Sequence, residues 1–160
     1  MSLFGQVKYV PPNIPAKAIS TLDDAVLTAA TGNIEGPVKT IKELIAKYPT
    51  WTQPLQQLSK IYYSAGRKSE ALSTLEAAIR IDTSAQIQQL YSLARLYEET
   101  GDMNRALTCY STVIHKSADK SGLNMKAKVN LTALESKRNL WQTNTEIKFI
   151  PLPDDINTPN

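Results

Sequence analysis

One cysteine and one histidine occur in 160 residues, and that scarcity removes most side-chain chemistry before any pattern is sought. Cys109 alone can close no disulfide within the chain, so nothing in the composition points to an oxidising compartment. With His115 as the sole imidazole, metal clusters built on histidine and Cys-His nucleophilic dyads lack members. There is no glycine-rich phosphate loop, no GxSxG elbow and no HExxH pair. Asp23 with Asp24, and Glu98 with Glu99, are neighbours in sequence, and adjacent residues on a helix do not converge on one point. No catalytic residue, no cofactor site and no metal site is expected, and an enzyme is the least favoured reading.

Long apolar runs and dense charge are missing as well. No stretch approaches 18 apolar residues, and the opening "MSLFGQVKYVPPNIP" lacks the continuous apolar segment of a signal peptide. The expectation is a soluble chain without direct membrane insertion, in the cytoplasm or another reducing compartment, at most peripheral on a larger complex. The 18 Lys and Arg stand against 15 Asp and Glu, a net charge of +3, spread too diffusely for nucleic acid. Lys116, Lys120, Lys126, Lys128, Lys137 and Arg138 make the last third mildly basic, as a solvated helix face would be. The sequon Asn130-Leu131-Thr132 sits within a predicted helix and carries little weight.

What is present is periodicity. Hydrophobic residues make up 42% of the chain, an ordinary proportion for a folded protein, and Gly32, Gly66 and Gly101 recur at intervals of 34 and 35 residues. A period of that size denotes helical hairpins. Leu55, Leu58, Ser59 and Tyr62, followed by Ala71, Leu75 and Ala78, superpose on Leu90, Leu93, Ala94 and Tyr97, followed by Ala106, Tyr110 and Val113. This pattern resembles the tetratricopeptide repeat, with a large residue, Leu, a small residue and Tyr on one helix, then Ala, an aromatic and Ala on the next. The first unit keeps Ala25, Gly32, Ile41, Leu44 and Pro49. It departs at Thr21, Asp24, Thr28 and Pro37, so its first helix is expected to be shifted or replaced.

The resemblance implies an all-α solenoid of helical hairpins, a tetratricopeptide-like superhelix of about seven helices, three hairpins and a cap. Helices are predicted at about 16–31, 37–48, 53–65, 69–81, 85–99, 104–116 and 122–141. The domain would span residues 16–141, between an extended N-terminal segment (1–15) and an extended, Pro-rich C-terminal tail (142–160). Each piece has a physical reading. Gly66 and Gly101 would end helices in a left-handed conformation, and Ser69 and Asn104 would cap the return helices. Ala71 and Ala106 are small because paired helices approach to about 8–10 Å. Tyr62 and Tyr97 would fill the gap between neighbouring hairpins with hydroxyls near the rim. Pro37 and Pro54 suit a first turn. In the last helix Leu123, Ala127, Leu131 and Leu134 form one stripe, expected to be apolar inside with Lys, Asn and Glu outside.

For function, the first helices of stacked hairpins line a concave surface suited to an extended peptide or a partner helix. The wheel turns Gln53, Gln56, Lys60 and Tyr63 of the third helix, and Gln88, Tyr91, Arg95 and Glu98 of the fifth, toward that surface, the candidate partner-binding residues. Repeats that bind chaperone C-termini carry a clamp of Lys, Asn and Arg. Here the matching slots hold Leu22, Val26, Gln57, Gln88 and Ser92, so chaperone-tail recognition is not expected. The reading is a non-enzymatic protein-protein interaction scaffold: an adaptor, assembly factor or small accessory subunit. The alternative is a regulatory or targeting domain of a larger enzyme or membrane protein. The tails carry Phe4, Val7 and Tyr9, and Ile147, Phe149, Ile150 and Leu152, more apolar than free tails require, and are expected to dock, on this chain near Trp141 or on a partner subunit.

Overall fold

The computed structural model describes residues 13–82, 87–118 and 121–144, with no side chains described for residues 142–144. The N-terminal segment expected at 1–15, apart from its last three residues, and the tail from 145 lie outside the described residues. In order, the elements are α1 (Ala16–Ala29), α2 (Glu35–Lys47), α3 (Thr52–Ser64), α4 (Lys68–Ile81), α5 (Ile87–Thr100), α6 (Met103–Lys116) and α7 (Gly122–Asn144). Among the described residues there is no strand. Helices pair as α1/α2, α3/α4 and α5/α6, and α7 packs mainly on α6.

Each hairpin turns at a glycine. Gly32, Gly66 and Gly101 have φ of 97°, 75° and 90°, a region that costs a residue with a Cβ about 1–2 kcal/mol. In the second and third turns the next amide reaches back to close the helix: Arg67 N donates to Tyr62 O at 2.8 Å, and Asp102 N to Tyr97 O at 2.8 Å. The chain then enters the return helix after a single residue, which corrects the expected caps. Ser69 and Asn104 already lie in the first turns of α4 and α6, and the capping positions fall to Arg67 and Asp102. Asp102 accepts the Arg105 amide on Oδ1 at 3.0 Å, a carboxylate at the positive end of a helix. Arg67 instead pairs with Glu70 at 2.7 Å.

The small residues do what close packing requires. Ala71, Ala94 and Ala106 are completely buried, and Ser59, the polar counterpart of Ala94, donates its hydroxyl to the Ala71 carbonyl across the α3/α4 seam at 2.7 Å. Tyr97 spans hairpins: its ring is buried and its hydroxyl donates to Glu76 of α4 at 2.6 Å, with the Arg105 guanidinium 5.6 Å from the ring centre. Pro37 and Pro54 are the third residues of α2 and α3, where the missing N–H has no partner to lose. The first hairpin is shifted as expected. Counting back from each glycine, Ala25 takes the slot of Ser59 and Ala94, but Leu22, fully buried, sits one residue after the slot of Leu55 and Leu90.

α7 closes the stack with Ala127 and Leu134 buried and Leu123 and Leu131 half-buried. Asn124 is also fully buried, and its amide donates to Ile114 O and Ser117 Oγ, each at 3.0 Å, satisfying the end of α6. The outward face departs from the polar surface expected of a cap. Met125, Val129 and Leu140 are 61–68% exposed. Elsewhere, Cys109 is half-buried in α6, and burial pushes its thiol above its ordinary pKa, the opposite of what a reactive cysteine needs.

Candidate partner-binding groove

The end of α1, the Gly32 turn and the later part of α3 line an open groove of about 720 Å³. Its walls are Val26, Ala29, Ala30, Ile34, Ile61 and Ala65, with Gln57, Lys60 and Ser64 supplying polar atoms. Alanines make the room, because at three wall positions nothing longer than a methyl group projects into the space. The groove has an apolar floor with a few hydrogen-bonding groups and one cation, the usual make-up of a surface that takes a peptide or small ligand.

Toward α5 the surface becomes polar and self-paired. Tyr63 donates its hydroxyl to Glu99 Oε1 at 2.8 Å and accepts from Arg95 Nη2 at 2.8 Å. Arg95 also pairs with Glu99 Oε1 at 3.0 Å, and Lys68 with Glu99 Oε2 at 2.9 Å. Burial acts to raise the Glu99 carboxyl, but bonds from Lys68 and Tyr63 overcome it and hold the group below its ordinary pKa. The bond to Glu99, helped by burial, raises the Tyr63 phenol. These four residues clip α3, α4 and α5 together at their ends.

The sequence-derived residues therefore divide by role. Lys60 lines the groove, and Gln53 and Gln88 are exposed. Gln56 is half-buried, its amide 3.5 Å from Thr52 Oγ1. Tyr63 and Arg95 belong to the clip. Tyr91 and Glu98 are drawn toward α6 and α7: the Tyr91 ring meets Tyr110 edge-on at 5.8 Å, its hydroxyl accepts from Asn130 Nδ2 at 3.2 Å, and Glu98 accepts the Tyr110 hydroxyl at 2.8 Å. The α1 wall is what the sequence reading missed. Val26 and Gln57 entered it only as empty clamp slots, and the shifted register of α1 hid the apolar run Val26, Ala29, Ala30 that could have marked the wall. Among the described residues no group of His, Cys, Asp and Glu could hold a metal ion, and no helix is long and apolar enough to cross a membrane.

The tetratricopeptide-repeat family model matches residues 52–84, which hold α3 and α4. A second tetratricopeptide-repeat model matches residues 90–119, across α5 and α6. Residues 52–119 carry two tetratricopeptide repeats. Its fold resembles that of the Yersinia enterocolitica type III secretion chaperone SycD in complex with a peptide of the translocator YopD (TM-score 0.66, 14% identity, 79% of this chain and 99% of that one). It also resembles PcrH in complex with the chaperone-binding region of PopD (0.63, 14%, 81% and 99%). A third likeness is to the Sgt2 tetratricopeptide domain of Aspergillus fumigatus (0.63, 15%, 98% and 97%). At these identities the likeness concerns the fold alone. No curated protein gives a sequence match. The tetratricopeptide repeat is a protein-interaction scaffold, and the general role of this chain is of that kind.

Proposed function

We propose that this protein is a non-enzymatic adaptor or assembly factor that holds an extended segment of a partner protein in the groove between α1 and α3. The observation that carries the reading is the groove itself: an apolar trough walled by three alanines and three branched residues, open to solvent, with Lys60 and Gln57 placed to bond a peptide backbone or an acidic side chain. The similar structures of SycD and PcrH, solved with a peptide or binding region of a partner, support a peptide occupant. Gln53 and Gln88, exposed on α3 and α5, extend the polar edge. Tyr63 and Arg95 fix the spacing of α3 and α5 and present their outer edges to the same occupant, while Tyr91 and Glu98 support the surface from behind. The predicted span of residues 16–141 is the unit that binds.

The test uses peptides selected from a random phage-displayed library against the full chain, with affinity read by fluorescence anisotropy. Ala30 is exposed at the end of α1, so Ala30→Trp fills the trough without touching the core. Selected peptides that lose at least tenfold in affinity against Ala30→Trp support the groove. Peptides that bind the variant unchanged place recognition elsewhere.

A further inference from the structure

The two sides of the α1/α3 groove differ in chemistry. The α1 side and the turn after it contribute only apolar side chains, from Val26, Ala29, Ala30 and Ile34. On α3, Gln57, Lys60 and Ser64 fall within about 60° of one another on the helical wheel, and Ile61 and Ala65 follow on the adjoining arc. Lys60 is exposed and is the one charged side chain among the residues that line the groove. The cations of the α3/α4 turn and of α5 are matched: Arg67 with Glu70 at 2.7 Å, Lys68 with Glu99 at 2.9 Å and Arg95 with Glu99 at 3.0 Å. Lys60 is not. Among the described residues no carboxylate lies within ion-pair distance of it, and Asp23 and Asp24 of α1 do not line the groove.

An extended chain sends successive side chains to opposite sides. Laid along this groove, it turns alternate residues to the apolar α1 side and the residues between them to Gln57, Lys60 and Ser64. Gln57 to Ala65 covers about 12 Å of α3 at ~1.5 Å per residue, the reach of about three to four extended residues. Lys60 lies inside that length, so the group it meets is a side chain in the middle of the bound stretch. A neutral or basic segment with the same apolar residues matches the shape but leaves the Lys60 ammonium unpaired or repelled, so charge is what discriminates between segments.

We propose that the groove selects an acidic partner segment, an Asp or Glu between two apolar residues, with its carboxylate on the Lys60 ammonium and its neighbours against Val26, Ala30 and Ile34. Gln57 and Ser64 are left to bond the backbone of the segment. This preference rests on the groove being the binding site, and it names the chemistry of the partner.

The probes are peptides selected against the full chain from the random phage-displayed library and weakened at least tenfold by Ala30→Trp. Each is also synthesised with its Asp and Glu changed to Asn and Gln. Both forms are titrated by fluorescence anisotropy against the native chain and against Lys60→Gln, an exposed substitution whose circular dichroism melt should match that of the native chain. The proposal requires an acidic residue between apolar ones in the probes, and a loss of at least about threefold on the amide change with the native chain. It also requires that loss to disappear with Lys60→Gln, which isolates the coupling of the carboxylate to Lys60. Probes without an acidic residue, a loss below threefold, or a loss that persists with Lys60→Gln overturn the proposal and leave the groove standing as the binding site. If Ala30→Trp weakens none of the selected peptides, the groove fails as the site and the proposal falls with it.

Discussion

Removing one buried hydroxyl, by Tyr110→Phe, probes the junction where the last repeat meets its cap. Tyr110 is fully buried, and its hydroxyl donates to Glu98 Oε2 at 2.8 Å while accepting from Asn130 Nδ2 at 3.1 Å. One phenol thereby ties α5, α6 and α7. The bond to a carboxylate is worth about 1.5–3 kcal/mol net, and an orphaned buried donor costs a further ~1–3. Two features reduce the loss: Glu98 is half-buried and can take water, and Asn130 keeps its bond to Tyr91 at 3.2 Å. The expected destabilisation is about 1–2 kcal/mol, equivalent to a midpoint lower by roughly 3–8 °C for a fold of this size. Circular dichroism melts at neutral pH measure it, and a double-mutant cycle with Glu98→Gln should recover about half or more as coupling energy, on the order of 1 kcal/mol. The phenylalanine keeps the edge-on contact with Tyr91, so packing is conserved. A midpoint unchanged within error, or zero coupling to Glu98, would refute the assignment of this hydroxyl as the tie between repeat and cap.

Ala71→Leu and Ala106→Leu, at positions with no exposed surface, should each lower stability by about 1–3 kcal/mol through overpacking, and thermal melts of both variants check the repeat register. Gly101→Ala forces a Cβ onto φ = 90° and should cost about 1–2 kcal/mol although open space surrounds the site; an unchanged denaturant midpoint would mean the turn relaxes. Burial, then the bond to Glu76, raises the Tyr97 phenol from 10.0 to about 12. The folded chain therefore keeps that proton when the unfolded chain has lost it: the stabilisation is complete below pH 10 and is lost as pH rises through about 12. Urea titrations from pH 9 to 12 should show a shallower decline for Tyr97→Phe than for the native chain, and parallel slopes would contradict the buried bond. Tyr91→Ala should lower the melt, since its hydroxyl and ring support Asn130 and Tyr110, whereas Lys60→Ala should weaken peptide binding with the melt nearly unchanged.

The repeating parts of this fold were legible because each obeys a local rule. A glycine every 34 or 35 residues marks a positive-φ turn, and alanine or serine at a fixed distance from it marks a helix seam. What escaped prediction depended on geometry that no period encodes. Ser69 and Asn104 looked like caps because serine and asparagine favour that position. The capping positions fall two residues earlier because Gly66 and Gly101 turn the chain so tightly that Arg67 and Asp102 become the entry residues. Asn124 and Asn130 gave no signal, since a polar residue on a helix reads as surface until the partner carbonyls and phenols are in place. The polar exterior expected for α7 counted its lysines, which are exposed, but the uncharged residues between them form a continuous stripe only when the helix is wound. On the concave surface, a wheel shows direction and not occupancy. It could not show that Glu99 of α5 and Lys68 of α4 already engage Tyr63 and Arg95, nor that the free space lies on the α1 side.

The central claim is that the α1/α3 groove holds an extended partner segment, and amide and methyl NMR of the labelled full chain, titrated with a library-selected peptide, tests it most directly. The account predicts that the largest shifts, and intermolecular contacts to the peptide, fall on Val26, Ala30, Lys60 and Ile61, and that Ala30→Trp abolishes them. Shifts confined to the opposite helices α2, α4 and α6, with the groove residues unmoved, would contradict it.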